Sequence, residues 1–184
     1  MIFVFVNEIF RSLVPGIRSR LRLWDDASMG IEKLPDVLQS LGEEQVDYVL
    51  IGAVAMMVHG LVRGTEDLDF FVRPTEDNIA RLRRALRRVY PDDESIEEIS
   101  ERDLLGDYPA VRYNTPDGSF GIDILTRLGE AFAYNDLEFQ EALFEGIPVR
   151  VATPATLFRM KKDTLRWKDR LDAEQLRERF ELED

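Results

Sequence analysis

The sequence contains no cysteine among its 184 residues and only one histidine, His59. The lack of cysteine excludes disulfide bonds, thiolate metal sites and a cysteine nucleophile. It is also typical of proteins of the reducing cytoplasm, which is the location that we expect. A chain of this length can form one domain with its own hydrophobic core.

Long hydrophobic runs and a surplus of basic residues are missing as well. The opening stretch MIFVFV is apolar, but polar and charged residues interrupt the sequence from Asn7 onward. We therefore expect no membrane span and no export signal. The formal net charge of −12 argues against broad, non-specific adhesion to nucleic acid, which requires many Lys and Arg residues on one face.

The hydrophobic pattern predicts a lead of unassigned role, residues 1–28, followed by one domain, residues 29–184. Within the domain, a helix is predicted over 32–45 with Gly42 as its C-terminal cap. The remaining pattern alternates between strands and helices: strands at 46–51, 68–72, 110–113, 120–125, 138–144 and 147–151, and helices after Gly52, Thr75 and Thr153, the last continuing as a charged helical tail.

Two aspartates, Asp67 and Asp69, stand one residue apart in the otherwise apolar strand of the stretch RGTEDLDFFV. Side chains alternate across a strand, so both carboxylates lie on one face, about 7 Å apart. Either the strand end is exposed and both acids are solvated, or a divalent cation between them makes the pair favourable, with their oxygens as hard ligands.

A third carboxylate, Asp123, interrupts another apolar stretch, FGIDILT. Taken alone, Asp123 is better interpreted as a residue at the edge of a hairpin. Together with Asp67 and Asp69, it completes a set that suits a two-cation phosphoryl-transfer site. Upstream, Gly52 lies at a strand-to-helix turn, where backbone N–H groups favour phosphate, although many such glycines serve only packing.

These residues carry a resemblance to a known family. Gly52-Ala53, thirteen intervening residues, Asp67-Leu68-Asp69-Phe70 and the later Asp123 resemble the DNA polymerase β-like nucleotidyltransferase superfamily. The run of Gly52, Ala55, His59-Gly60, Arg63, Thr65 and the two aspartates, with the tail VATPATLFRMKKDTLRWKDRLDAEQL, is similar to small bacterial nucleotidyltransferase-like proteins. That group includes the toxins of abortive-infection systems.

The resemblance implies an α/β (α+β) protein with a minimal nucleotidyltransferase fold: a short mixed β-sheet flanked by helices, with a C-terminal helical extension. It also implies Mg²⁺ or Mn²⁺ as cofactor and a nucleoside triphosphate as substrate. Asp67 and Asp69 would hold both metal ions, and Asp123 would hold the catalytic one. The residues expected near the nucleotide are Gly52, Ala53, Arg63, Thr65, Lys162 and Lys168, the two lysines either beside the triphosphate or fixing the C-terminal helix.

The implied reaction moves a nucleoside monophosphate to a hydroxyl of RNA, a protein or a small molecule. Ala53 departs from the family pattern, which has Gly or Ser there, and alanine offers no hydroxyl to a phosphate. One alternative is therefore a weak or inactive protein that binds nucleotide or a partner in a regulatory role, or pairs with a cognate antitoxin. Another is a structural domain that binds only cations.

Three further features have competing interpretations. His59 is better explained as a side chain bonded to a carbonyl at a helix end than as a general base. Arg63 suits either a triphosphate or an ion pair with Glu66 or another local acid. The arginine cluster between Arg81 and Arg88 either binds RNA or forms a solvated face neutralised by nearby acids.

Overall fold

The computed structural model describes residues 32–65, 67–106 and 109–183, so the lead predicted over 1–28 lies outside the described residues. Within the described part, the strands are β1 (Tyr48–Leu50), β2 (Asp67–Val72), β3 (Ala110–Asn114), β4 (Gly121–Leu125), β5 (Arg127–Leu128), β6 (Phe132–Ala133), β7 (Phe139–Phe144) and β8 (Ile147–Ala152). The α-helices are α1 (Leu34–Glu43), α2 (Gly52–Val58), α3 (Glu76–Val89), α4 (Glu101–Leu105), α5 (Pro154–Lys161) and α6 (Trp167–Phe180).

Six strands form one mixed sheet in the order β3-β4-β2-β1-β8-β7. β2 runs parallel to β4 and β1 runs parallel to β8, whereas the other neighbouring pairs are antiparallel. The two predicted hairpins, β3–β4 and β7–β8, are confirmed. Gly118, Glu145 and Gly146 take positive φ angles in their turns. The small hairpin β5–β6 was not predicted, because strands of two residues are too short for a periodic signal.

The helices cover the sheet with their apolar sides, as their sequence periodicity predicts. α1 buries Leu34, Val37, Leu38 and Leu41, and α3 buries Ile79, Leu82, Ala85 and Leu86. Thr75 caps α3, because its Oγ1 accepts the N–H of Asn78 at 3.3 Å. None of the helices within the described ranges combines the length and the apolar character needed to cross a membrane.

The prediction that Gly42 caps α1 is wrong. Gly42 lies inside the helix, whose C-cap is Glu44. The chain leaves the helix through Gln45, which takes a left-handed φ of 53°, and the N–H of Val46 closes the turn on the carbonyl of Leu41 at 2.9 Å. A non-glycine residue thus occupies the conformation that usually selects glycine.

Candidate active site

Three adjacent strands bring the predicted carboxylates to one face of the sheet. Asp69 of β2 lies opposite Asp123 of β4 in the parallel pair, and Asp123 lies opposite Arg112 of β3 in the antiparallel pair. In the neighbouring row of the same face, Asp67 lies opposite Gly121. The sequence separates Asp67 from Asp123 by more than fifty residues, and the β2–β4 pairing brings them together.

Two glycines leave the room that these carboxylates need. Gly52, the first residue of α2, has a φ of +62°, and a Cβ added there would stand 2.1 Å from Oδ2 of Asp69. A Cβ at Gly121 would stand 2.8 Å from Oδ1 of Asp67 and 2.6 Å from Nη2 of Arg112. All three distances are shorter than those of real Cβ atoms, so a side chain at either glycine would require an acid or Arg112 to shift.

Arg112 connects two of the three carboxylates. Its Nη2 donates to Oδ1 of Asp67 at 2.5 Å, and its Nη1 lies 3.2 Å from each carboxylate oxygen of Asp123. The negative charge of Asp123, followed by the hydrogen bond to Asp67, raises the pKa of the guanidinium above its ordinary value. Arg112 therefore neutralises part of the charge that the three acids place on this face.

Asp69 has the most perturbed acidity of the three. Its burial raises the pKa of the carboxyl group to about 6, and the negative charges of Asp123 and Asp67 act in the same direction. The positive charges of Lys161 and Arg112 act in the opposite direction but do not cancel the rise. A carboxyl group held in this way keeps its proton to a higher pH than an exposed one does.

The donor set of this face fits a hard divalent cation, because carboxylate oxygens are the ligands that Mg²⁺ prefers. Across residues 32–65, 67–106 and 109–183, however, no group of three acidic or histidine side chains stands close enough to hold a metal ion. Two of the three acids, Asp67 and Asp123, are instead paired with the guanidinium of Arg112. The metal-binding role of Asp67, Asp69 and Asp123 thus stays a prediction.

Lys161 was not predicted as a site residue, but its positive charge is close enough to Asp69 to lower the pKa of that carboxyl group. Lys161 Nζ donates to Asp169 at 2.8 Å and to Asp172 at 2.9 Å, and its side chain is only 12% exposed. Arg63 also pairs with Asp172, with Nε 3.0 Å from Oδ1. These ion pairs fasten α5 and α6 to the loop that leads into β2.

Lys162 and Lys168, the two lysines predicted near the nucleotide, are both exposed and lie against aromatic rings. Lys162 Nζ is 5.6 Å from the centre of the Phe158 ring, and Lys168 Nζ is 6.0 Å from that of Trp167. The structure records no contact of either lysine with Asp67, Asp69 or Asp123. Their role at the nucleotide stays a prediction.

Arg63 and Thr65 both have partners within the protein. Arg63 pairs with Asp172 of α6, a partner distant in sequence, whereas Glu66 lies outside the described residues. Thr65 Oγ1 donates to the carbonyl of Asp67 at 2.7 Å and accepts the N–H of Asp67 at 3.0 Å. Thr65 thereby sets the backbone at the start of β2, which is the strand that carries the aspartate pair.

His59 is a structural side chain at the end of α2, which agrees with its interpretation as a residue bonded to a carbonyl rather than a general base. It is the C-cap of the helix, and its Nε2 lies 2.8 Å from the carbonyl oxygen of Ala152, to which it donates. Its ring also packs edge-on against Phe180 of α6, with centroids 5.8 Å apart. These contacts place His59 in the packing between α2, β8 and α6.

The arginine cluster of α3 is neutralised by acids on both sides. Arg84 and Arg88 pair with acids of α1 and its C-cap, and Arg83 and Arg87 pair with Glu101 and Glu97. Arg81 pairs with Asp77 within the helix. These ion pairs support the interpretation of a solvated, charge-balanced helix face.

Comparison with known proteins agrees with this architecture. A family model described as the nucleotidyl transferase AbiEii toxin of type IV toxin–antitoxin systems matches residues 36–177. The crystal structure of ANT(2'')-Ia in complex with adenylyl-2''-tobramycin is 15% identical, has a TM-score of 0.50, and aligns over 82% of this chain and 88% of that one. The solution structure of the antibiotic-resistance factor ANT(2'')-Ia is 12% identical, with a TM-score of 0.52 over 82% and 83%.

At these identities the likeness to the two solved structures establishes a common fold, and the expected mixed α/β architecture is confirmed. No curated protein matches the sequence.

Proposed function

The chain belongs to the AbiEii family of nucleotidyltransferase toxins, and from this premise we propose that it transfers a nucleoside monophosphate from a nucleoside triphosphate to an acceptor hydroxyl, with Mg²⁺ or Mn²⁺ as cofactor. The observation that carries the proposal is the row of Asp69 and Asp123 on adjacent parallel strands, with Asp67 in the neighbouring row. An acidic face of this kind is what divalent-metal chemistry requires.

In the proposed reaction, the oxygen of the acceptor hydroxyl forms a bond to the α-phosphorus of the triphosphate, and the bond from that phosphorus to the β-phosphate oxygen breaks. Pyrophosphate leaves, and the hydroxyl proton passes to a base on the acidic face. Asp67, Asp69 and Asp123 would hold the metal ions, which would supply positive charge to the phosphate oxygens. Lys161, held by Asp169 and Asp172, adds a fixed positive charge on the same side.

Gly52 supports this assignment through its close approach to Asp69. Without a Cβ, the backbone at the start of α2 lies directly against the carboxylate, and the first N–H groups of a helix have no partner within it. Ala53 follows and is nearly buried, with 9% exposure. Backbone N–H groups, rather than a side-chain hydroxyl, would contact the phosphates at this turn.

The direct test is transfer of label from each α-labelled triphosphate to an acceptor. Total cell RNA, the purified protein itself and a small hydroxyl-rich compound form the acceptor panel. The small molecule is included because the structurally similar ANT(2'')-Ia was solved with an adenylylated tobramycin. We expect the wild type to transfer label and Asp123→Asn to lose this transfer. The asparagine side chain replaces one carboxylate oxygen with an amide group and carries no negative charge for a metal ion.

Two outcomes would count against transfer. If wild type and Asp123→Asn label the acceptors equally, the acidic face is not the catalytic site. If triphosphate and Mn²⁺ raise the unfolding temperature but no acceptor is labelled, the protein is a nucleotide-binding module, which is the role that Ala53 would favour. Cytoplasmic location and a cognate antitoxin are part of the proposal through the toxin–antitoxin family, and co-purification from the native cytoplasm tests both.

A further inference from the structure

Arg112 joins two carboxylates of the candidate site, and we propose that it is a built-in counter-cation whose release makes metal loading depend on nucleotide. The inference rests on the proposed function, since it assumes that a divalent cation binds Asp67 and Asp123. It assigns Arg112 a positioning role: Arg112 suppresses binding of the cation alone and yields to the cation when a triphosphate is present.

The contacts of Arg112 involve the same oxygens that a cation would take. Nη2 holds Oδ1 of Asp67 at 2.5 Å, and Nη1 lies 3.2 Å from both oxygens of Asp123. Nε is within 3.4 Å of Oδ1 of Asn114. A guanidinium group and a metal ion cannot both lie between these two carboxylates, because the planar fork fills the space that joins them. Binding of one therefore excludes the other.

Gly121 shows that the sheet makes space for this guanidinium. It lies opposite Asp67 on one side and Asn114 on the other. An added Cβ there would stand 2.6 Å from Nη2 and 2.9 Å from Cζ of Arg112. A side chain at this position would therefore require the guanidinium of Arg112 to shift from the place that it occupies.

Arg112 is also free to leave. Its side chain is 51% exposed and belongs to β3, which stands at the end of the strand order. Asp67 and Asp123 are about one-third exposed, so water can solvate both when the guanidinium withdraws. Ion pairs of this exposure contribute little to stability. The expected effect of Arg112 is therefore on ligand binding rather than on folding.

A triphosphate changes the balance of this competition. Guanidinium groups bind phosphate oxygens in the same bidentate manner as carboxylates, so a triphosphate offers Arg112 a second anionic partner on the same face. A cation alone must displace Arg112 without any such replacement. Metal and nucleotide are then coupled, and by thermodynamic linkage each raises the affinity for the other by the same factor.

The experiment measures Mn²⁺ binding to the full chain by the electron paramagnetic resonance of free Mn²⁺. Titrations are made without nucleotide and with each α,β-methylene triphosphate, which cannot be cleaved at the reacting bond. The variants are Arg112→Gln, Arg112→Lys and, as a matched control, Arg102→Gln, which removes an exposed arginine from α4. Urea unfolding of each variant verifies that it is folded.

In the absence of nucleotide, we expect Arg112→Gln to bind Mn²⁺ about tenfold more tightly than the wild type, which corresponds to about 1.4 kcal/mol. The factor by which the triphosphate analogue improves Mn²⁺ binding should be smaller in Arg112→Gln than in the wild type. Arg112→Lys keeps the charge but loses the fork, so its Mn²⁺ affinity should lie between the two. Arg102→Gln should match the wild type.

Equal Mn²⁺ affinity of the wild type and Arg112→Gln without nucleotide would overturn the inference, and so would an unchanged nucleotide effect. In either case, label transfer by the wild type would leave the proposed function intact. If no variant binds Mn²⁺ under any condition and no acceptor is labelled, both the inference and the proposed function are refuted. Should Arg112→Gln fail to fold, Arg112→Lys provides the same comparison.

Discussion

Replacement of Asp69 by asparagine should make the protein more stable near neutral pH while removing its transfer activity. Asp69 is largely withdrawn from water and close to two other acids, and these causes raise its pKa from 3.8 to about 6. At neutral pH the carboxylate is nevertheless ionised in the folded protein. Its ionisation there costs about 3 kcal/mol relative to an exposed aspartate, since one pKa unit corresponds to about 1.4 kcal/mol.

The sign of the pH dependence follows from the raised pKa. Between about pH 4 and about pH 6 the folded protein holds a proton on Asp69 that the unfolded chain has released, so stability from this group increases as the pH falls. From about pH 7.5 to about pH 5 the folded state gains about 1.4 kcal/mol through Asp69. Asparagine has no such proton, and the variant lacks this contribution.

The assay is urea unfolding of metal-free wild type and Asp69→Asn at these two pH values. The stability advantage of Asp69→Asn should shrink by about 1.4 kcal/mol on going to the lower pH. Asp163→Asn, which alters an exposed aspartate after α5, is the control and should follow the wild type. Parallel pH dependence of the wild type and Asp69→Asn would refute the reasoning, because the carboxyl group would then titrate alike in both states.

Two further substitutions test the surroundings of the acids. Gly52→Ala should lower the free energy of unfolding by about 2 kcal/mol in urea titrations. The added Cβ would stand 2.1 Å from Oδ2 of Asp69, and the backbone there has a φ of +62°. An unchanged urea midpoint would contradict the close approach of Gly52 to Asp69. Lys161→Met should cost about 2 kcal/mol, because Asp169 and Asp172 each lose a charged hydrogen-bond donor, whereas the ion pair of Asp172 with Arg63 remains. Lys162→Met is the matched control and should change stability by less than about 0.5 kcal/mol, so equal losses in the two lysine variants would contradict this difference.

The aspartate pair could be predicted from the sequence because it depends on local order alone. Alternation along β2 places Asp67 and Asp69 on one face whatever the strand pairs with. The hairpin that carries Asp123 follows likewise from its turn residues, Pro116, Asp117 and Gly118. What local order does not specify is that β4 pairs with β2 in parallel. That pairing joins residues more than fifty positions apart, and the family resemblance implied only that the three acids share one site.

The two adjacent lysines at the end of α5, Lys161 and Lys162, differ in which side of the helix they occupy. Lys161 follows Leu157 by four residues and Phe158 by three, and both are buried, so the 3.6-residue period turns Lys161 toward the interior. Lys162 follows Phe158 by four residues but Leu157 by five, so it lies at the border of the buried side, against the Phe158 ring, and is exposed. The two lysines have the same side chain, so a sequence motif does not distinguish them. Their positions around the helix axis determine which one is turned toward the interior.

Arg112 could not be found from its own neighbourhood. The stretch AVRYN of β3 is an ordinary alternating strand, with Arg112 on its exposed face. Its importance arises from two long-range facts: the register that sets it opposite Asp123, and the glycine at 121 that lets it reach across to Asp67. Neither fact is visible without the sheet.

The two cations beside the acids differ in how firmly they are held, and this difference assigns their roles. Lys161 is 12% exposed and pairs with two carboxylates of α6, so its withdrawal would take a cation away from both and leave Asp172 paired with Arg63. Arg112 is 51% exposed and its partners reach solvent. A metal ion that arrives with a triphosphate would therefore displace Arg112 more readily than Lys161. In the proposed mechanism, Lys161 would therefore supply a constant positive charge beside the acids, whereas Arg112 would move when metal and nucleotide bind.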